Sequence, residues 1–85
     1  MPQVLFTAHL RRLAPSSPVE ATGGTVADAL DSVFARHPLL KTYILDDQRR
    51  LRRHIALFVD GERARLVDPV GPDAKIAVLQ ALSGG

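Results

Sequence analysis

Cysteine is absent from the 85 residues of the chain. That excludes disulfide cross-links, thiolate metal sites and a cysteine nucleophile. Long apolar runs are lacking as well, and none approaches the ~20 residues that a helix needs to span a bilayer. The opening residues, Met1-Pro2-Gln3-Val4, lack the charged and apolar regions of a secretory signal, so the cytoplasm is the expected address and no membrane partner is expected. Charge of one sign is scarce too: Lys and Arg number 11 against 9 Asp and Glu, a formal net charge of +2. That excess is too small to argue for nucleic acid. Size sets a further limit, because a domain this short buries only roughly 60–65% of the surface its unfolded chain exposes. One compact core is possible; a deep substrate cavity inside it is not expected.

What is present is ordered by local pattern. Val4 to Leu10 reads as a strand with Val4, Phe6 and Ala8 on the buried face. Ala14-Pro15-Ser16-Ser17-Pro18 is a turn or loop, and Val19 to Thr22 a short second strand closed by Gly23-Gly24, the two strands forming an antiparallel hairpin. Thr25 is placed to cap a helix, with Asp28 three positions on in a capping-box-like pattern. Val26, Ala29, Leu30, Val33, Phe34 and His37 recur at helical spacing, and Pro38 stops the helix. Leu39, Leu40, Tyr43 and Ile44 suit a short second helix, and Asp46-Asp47-Gln48 a polar turn. Arg49 to Arg53 is expected to open an extended stretch. His54 to Val59 is the most strand-like run, and Asp60-Gly61 a two-residue hairpin turn needing positive φ. Glu62 to Val67 is expected to return as a more polar strand. Asp68 to Asp73 is a loop, and Lys75 to Ala81 the last strand, running directly into Leu82-Ser83-Gly84-Gly85. Strands flanking one amphipathic helix imply an α+β domain, a mixed sheet packed on one main helix.

This order and this ending resemble the ubiquitin-like β-grasp sulfur carriers: the small subunit of molybdopterin synthase and the carriers of thiamine and cysteine biosynthesis. Thr25-Val26-Ala27-Asp28-Ala29-Leu30 is similar to the family's helix start. Phe58-Val59-Asp60-Gly61-Glu62 is similar to its central hairpin, where Asn-Gly is the more usual turn. Ile76 to Gly85 is similar to its final strand and tail, and Leu51 to Arg65 lies nearest to carriers of the cysteine-synthesis kind. The family's acidic Gly-Asp-Glu-like turn before the last strand stands here as Pro72-Asp73-Ala74-Lys75, with Asp73 alone in common.

The resemblance implies a β-grasp domain over residues 1–82 and a flexible Ser83-Gly84-Gly85 tail. It also implies that the working group is the carboxylate of Gly85, adenylated with ATP on a ubiquitin-activating-like partner and then converted to a thiocarboxylate. An adenylating, sulfur-transferring enzyme and a sulfur-accepting synthase are the implied partners; the chain binds no cofactor and is no enzyme by itself. Glycine suits such a tail, since without a Cβ it passes a narrow channel and leaves its carbonyl open on both sides. Taken alone, Gly84-Gly85 is weak evidence: at about 7% glycine usage, two terminal glycines occur by chance in roughly 0.5% of chains. A plain unstructured end or an expression remnant has the same sequence.

Alternation along the last strand turns Ile76 and Val78 inward and Ala77 and Leu79 outward. In the neighbouring strand Ile55, Leu57 and Val59 turn inward, leaving Ala56 and Phe58 outside. Phe58, Leu79 and Ala77, with Leu82, are therefore the candidate partner-binding residues, an exposed apolar patch unless the Leu39–Leu45 segment covers it. Arg49, Arg50, Arg52 and Arg53 have no interleaved aromatics for base stacking, and Asp46 and Asp47 offset them. A solvated, partner-facing segment is the expectation. His9, His37 and His54 share no metal-ligand spacing, His37 suits the end of the helix, and nothing resembles a Ser-His-Asp arrangement. Two other readings stay open: a ubiquitin-like modifier joined to lysines through the same tail, and a protein-interaction module whose tail has no chemistry.

Overall fold

The computed structural model describes residues 1–7, 10 and 18–80. Its strands are β1 (Gln3–Phe6), β2 (Val19–Glu20), β3 (Ile55–Val59), β4 (Glu62–Ala64) and β5 (Lys75–Gln80), and its helices are α1 (Val26–Arg36) and α2 (Pro38–Ile44). The strands form one five-stranded sheet in the order β2-β1-β5-β3-β4. β5 lies at its centre, parallel to β1 and antiparallel to β3. The helices pack on one face of this mixed sheet, as the local patterns predicted. Among the described residues no helix is long and apolar enough to cross a membrane.

α1 begins where Thr25 Oγ1 accepts the Asp28 N–H at 3.1 Å, satisfying one of the donors that a helix start leaves open. Asp28 in the first turn and Arg36 in the last complement the helix dipole. Its apolar stripe, Val26, Ala29, Leu30, Val33 and Phe34, is buried against Val4, Phe6, Leu57, Ile76 and Val78 of the sheet's inner face. His37 closes the helix, its N–H bonded to the Val33 carbonyl at 2.9 Å. Pro38 then opens α2, a position where its missing N–H costs nothing. Leu40 and Ile44, one turn apart, are buried in the same core.

Several expected strands are shorter than their sequence patterns, for identifiable reasons. β1 ends at Phe6: Thr7 still donates to the Val78 carbonyl, but the Leu10 N–H then turns back to the Thr7 carbonyl. Ala8 and His9 of the expected strand lie outside the described residues. β4 stops at Ala64 because the following segment has another task. The Leu66 and Asp68 carbonyls accept the N–H groups of Ala27 and Val26, each at 2.9 Å, supplying two further partners for the α1 start. The Asp68 carboxylate holds that turn by accepting the Arg65 N–H at 2.8 Å. Arg49 to Arg53 is likewise a loop rather than an extended stretch. Asp46 Oδ1 accepts the N–H groups of both Gln48 and Arg50 at 2.9 Å, Arg49 takes a φ of 61°, and Leu51 bridges back to Leu45.

The β3–β4 turn has the expected left-handed pair, Asp60 at φ 51° and Gly61 at φ 86°. Asp60 does more than turn the chain: its Oδ1 accepts the Lys75 N–H at 3.0 Å. Its own N–H donates to the Lys75 carbonyl at 2.9 Å. The hairpin turn is thereby tied to the start of β5.

Candidate functional site

The region of interest is the strand that leads to the C-terminus and the two surfaces beside its end. β5 is held on both edges: Phe6 pairs with Val78 on one side, and Leu57 with Val78 and Ile55 with Gln80 on the other. These pairings fix the course of β5, on both edges to Val78 and on the β3 edge to Gln80. Leu82, Ser83, Gly84 and Gly85, expected to carry or support the chemistry, lie outside the described residues.

Alternation along β5 and β3 is as the sequence pattern predicted. Ile55, Leu57, Ile76 and Val78 are buried, whereas Ala56, Phe58 and Ala77 are half-buried and Leu79 is 39% exposed. The register places Phe58 opposite Ala77 and Ala56 opposite Leu79, and β1 adds Leu5 beside Ala77. Directly paired residues hold their Cβ atoms within roughly 4.5–5.5 Å, so Leu5, Ala56, Phe58, Ala77 and Leu79 form one apolar patch on the face away from the helices. Arg63, paired with Phe58, and Lys75 border it. The segment from Leu39 to Leu45 does not compete for this face. It sends Leu40, Ile44 and Leu45 into the core instead.

The other side of the strand end is a groove whose walls are largely the apolar parts of polar side chains. Thr42 and Tyr43 of α2, Arg52 and His54 ahead of β3, and Gln80 line an open groove of about 340 Å³. Arg52 Nε donates to the Thr42 carbonyl at 2.7 Å. Sequence reading missed this assembly, because no local periodicity joins positions so far apart in the chain. The arginine cluster is dispersed by its partners: Arg49 pairs with Asp31 at 2.8 Å and Arg50 with Asp46 at 3.8 Å. The expected offset by Asp46 is therefore present, while the part played by Asp31 required the fold. The Arg50 backbone N–H, and after it the Gln48 N–H and the Arg50 charge, hold the Asp46 carboxyl below its ordinary value.

The ThiS family model matches residues 4–85. Small archaeal modifier protein 1 of Haloferax volcanii is 34% identical over 61 residues, which make up 72% of this chain and 70% of that protein. The crystal structure of that protein superposes with a TM-score of 0.83 at 31% identity, covering 99% of this chain and 98% of the other. A chain of the Amycolatopsis orientalis BexX/CysO complex superposes with a TM-score of 0.88 at 28% identity over 100% of both chains. In sequence, strand order and overall shape, the chain belongs to the ThiS family, ubiquitin-like β-grasp proteins of the sulfur-carrier kind.

Proposed function

We propose that the chain is a cytoplasmic sulfur carrier whose reactive group is the C-terminal carboxylate of Gly85. The observation that carries this reading is the placing of β5. The central strand, locked between two neighbours, runs toward Gly84-Gly85 and presents Ala77 and Leu79 beside Phe58 on an open apolar face. A partner that docks on Phe58, Ala77 and Leu79, with Leu82 continuing the contact, receives the tail in a fixed direction.

The chemistry follows from what a carboxylate lacks. It is a poor electrophile, so the partner transfers AMP from ATP to the Gly85 carboxylate and releases pyrophosphate. A persulfide on the partner attacks the carbonyl carbon, AMP leaves, and an acyl disulfide forms. A second thiol cleaves the sulfur–sulfur bond, ends as a disulfide, and releases the thiocarboxylate on Gly85. That sulfur is the better nucleophile and passes to an accepting synthase. The chain contributes reach and recognition, and the partners contribute catalysis and the nucleotide.

The similarity to a small archaeal modifier protein supports a second reading, in which the same activated tail acylates lysines of other proteins. Mass spectrometry of the protein from its own cells, carrying no C-terminal tag, tests both. The carrier reading expects a C-terminal fragment heavier by the difference between sulfur and oxygen, and alkylatable although the chain has no cysteine. Alkylation separates this from oxidation of Met1, which adds nearly the same mass. Lysines of other proteins acylated by Gly85 would favour the modifier. An unchanged carboxylate, after incubation with the cell's adenylating enzyme, ATP and a sulfur source, would overturn both and favour an interaction module without tail chemistry.

A further inference from the structure

The groove beside the end of β5 has no part in the carrier chemistry. Its charged member is nevertheless fixed in place. The bond from Arg52 Nε to the Thr42 carbonyl sets the plane of the guanidinium and leaves the donors of its two terminal nitrogens for another acceptor. Arg49 and Arg50 are engaged with Asp31 and Asp46, and among the described residues no carboxylate lines the groove. On its far side Arg52 borders Asp46 and Asp47, and after the Arg50 N–H its charge helps hold the Asp46 carboxyl down. Asp46 Oδ1, however, is taken by the N–H groups of Gln48 and Arg50, and among the described residues no ion pair joins Arg52 to a carboxylate. Tyr43, 54% exposed, and the half-buried His54 and Gln80 complete the wall with further polar groups.

We infer that this groove is a docking site for a carboxylate side chain, an aspartate or glutamate, projecting from the enzyme that receives the tail. The identity of that partner rests on the carrier reading, whereas the preference for a carboxylate rests on the groove itself. A planar guanidinium with paired free donors matches a carboxylate in shape as well as charge. The location gives the contact its use. Leu79 faces the open apolar side of the sheet and Gln80, next in the strand, faces the other. A partner holding both the apolar face and the groove grips the start of the tail from two sides. One contact is insensitive to salt, and the other weakens as salt screens it.

Two measurements test this. In the first, the isotopically labelled full chain is titrated with a capped peptide of alternating Asp and Glu, and with its Asn and Gln counterpart. Saturable shifts of the Thr42, Tyr43, Arg52, His54 and Gln80 amides with the acidic peptide alone are expected. They should be weakened about tenfold by Arg52→Gln and untouched by Leu79→Ser. Shifts scattered over all basic residues, or unaffected by Arg52→Gln, overturn the site. In the second, binding to the cell's adenylating enzyme is measured at low and high salt. Arg52→Glu is expected to weaken it about tenfold or more at low salt, with the difference shrinking at high salt. Arg52→Lys is expected to fall between parent and Arg52→Glu, because lysine keeps the charge but not the anchored fork. Equal binding by Arg52→Glu, with its amide spectrum still that of the folded protein, overturns the inference. The two readings fail separately: a thiocarboxylate formed normally on Arg52→Glu removes the groove but keeps the carrier. Acidic-peptide binding at the groove without any thiocarboxylate does the reverse.

Discussion

Gly23 sits where the chain turns into α1 with a φ of +143°, and a Cβ there would stand 2.5 Å from Asp28 Cβ and 2.8 Å from the Ala29 nitrogen. Both the backbone angle and the close approach exclude a side chain. Gly23→Ala is expected to cost about 2–3 kcal/mol, seen as a lower urea midpoint with little change in slope. Its neighbour is the control, since a Cβ on Gly24 meets nothing within 4 Å. Gly24→Ala should stay within about 1 kcal/mol of the parent. In sequence the two glycines are indistinguishable; their surroundings separate a required residue from a replaceable one.

At the scale of elements, the loop between α2 and β3 is organised by one carboxylate. Asp46 accepts two backbone N–H groups, chiefly that of Arg50, and its carboxyl lies below the ordinary value of 3.8. A group with a depressed folded-state pKa adds stability that is complete above its unfolded value and is lost as pH falls through the folded value. The parent is therefore expected to lose stability below about pH 4, and Asp46→Asn to show a flatter acid limb in urea midpoints measured from about pH 5 to 2. A parallel acid limb in the variant would assign the effect to other carboxylates. The outer face of β5 calls for a different test. Leu79 is 39% exposed, so Leu79→Ser should change stability by no more than about 0.5 kcal/mol. On the proposed carrier function, binding of the adenylating partner should nevertheless fall, with little dependence on salt.

Over the whole molecule, β5 is at once the centre of the core and the base of the tail. Ile76 and Val78 are fully buried and Leu57 is 1% exposed, so removing side-chain volume here leaves a cavity inside the one core cluster. Ile76→Ala is expected to cost about 2–5 kcal/mol, a large part of the roughly 5–15 kcal/mol available to a domain. On the proposed carrier function, deleting residues 83–85 should end formation of the thiocarboxylate, with the unfolding midpoint measured beside it as the control for folding. A matching loss of stability in the deletion would mean that the tail contributes to the fold as well as to the chemistry.

Local order was legible because it has a short period. The stripe of Val26, Ala29, Leu30, Val33 and Phe34 specified α1, the Thr25 cap its start, and Asp60-Gly61 the turn between β3 and β4. Alternation along Ile55–Val59 and Lys75–Gln80 assigned each side chain to a face, which is how Phe58, Ala77 and Leu79 were recognised as outward. The ends of β1 and β4 were not legible, because they depend on partners distant in sequence. Leu66 and Asp68 leave the strand to satisfy the start of α1, and nothing in Glu62–Val67 alone signals that demand. The strand order with β5 at the centre, the tie from Asp60 to Lys75, and the meeting of Tyr43, Arg52, His54 and Gln80 were likewise decided only in three dimensions. The sequence by itself determined the elements, their inward faces and the glycine ending, since these follow from rules spanning two to four residues. Only the tertiary structure decided which elements meet, since pairing across the chain depends on the burial and hydrogen bonding of all of them together.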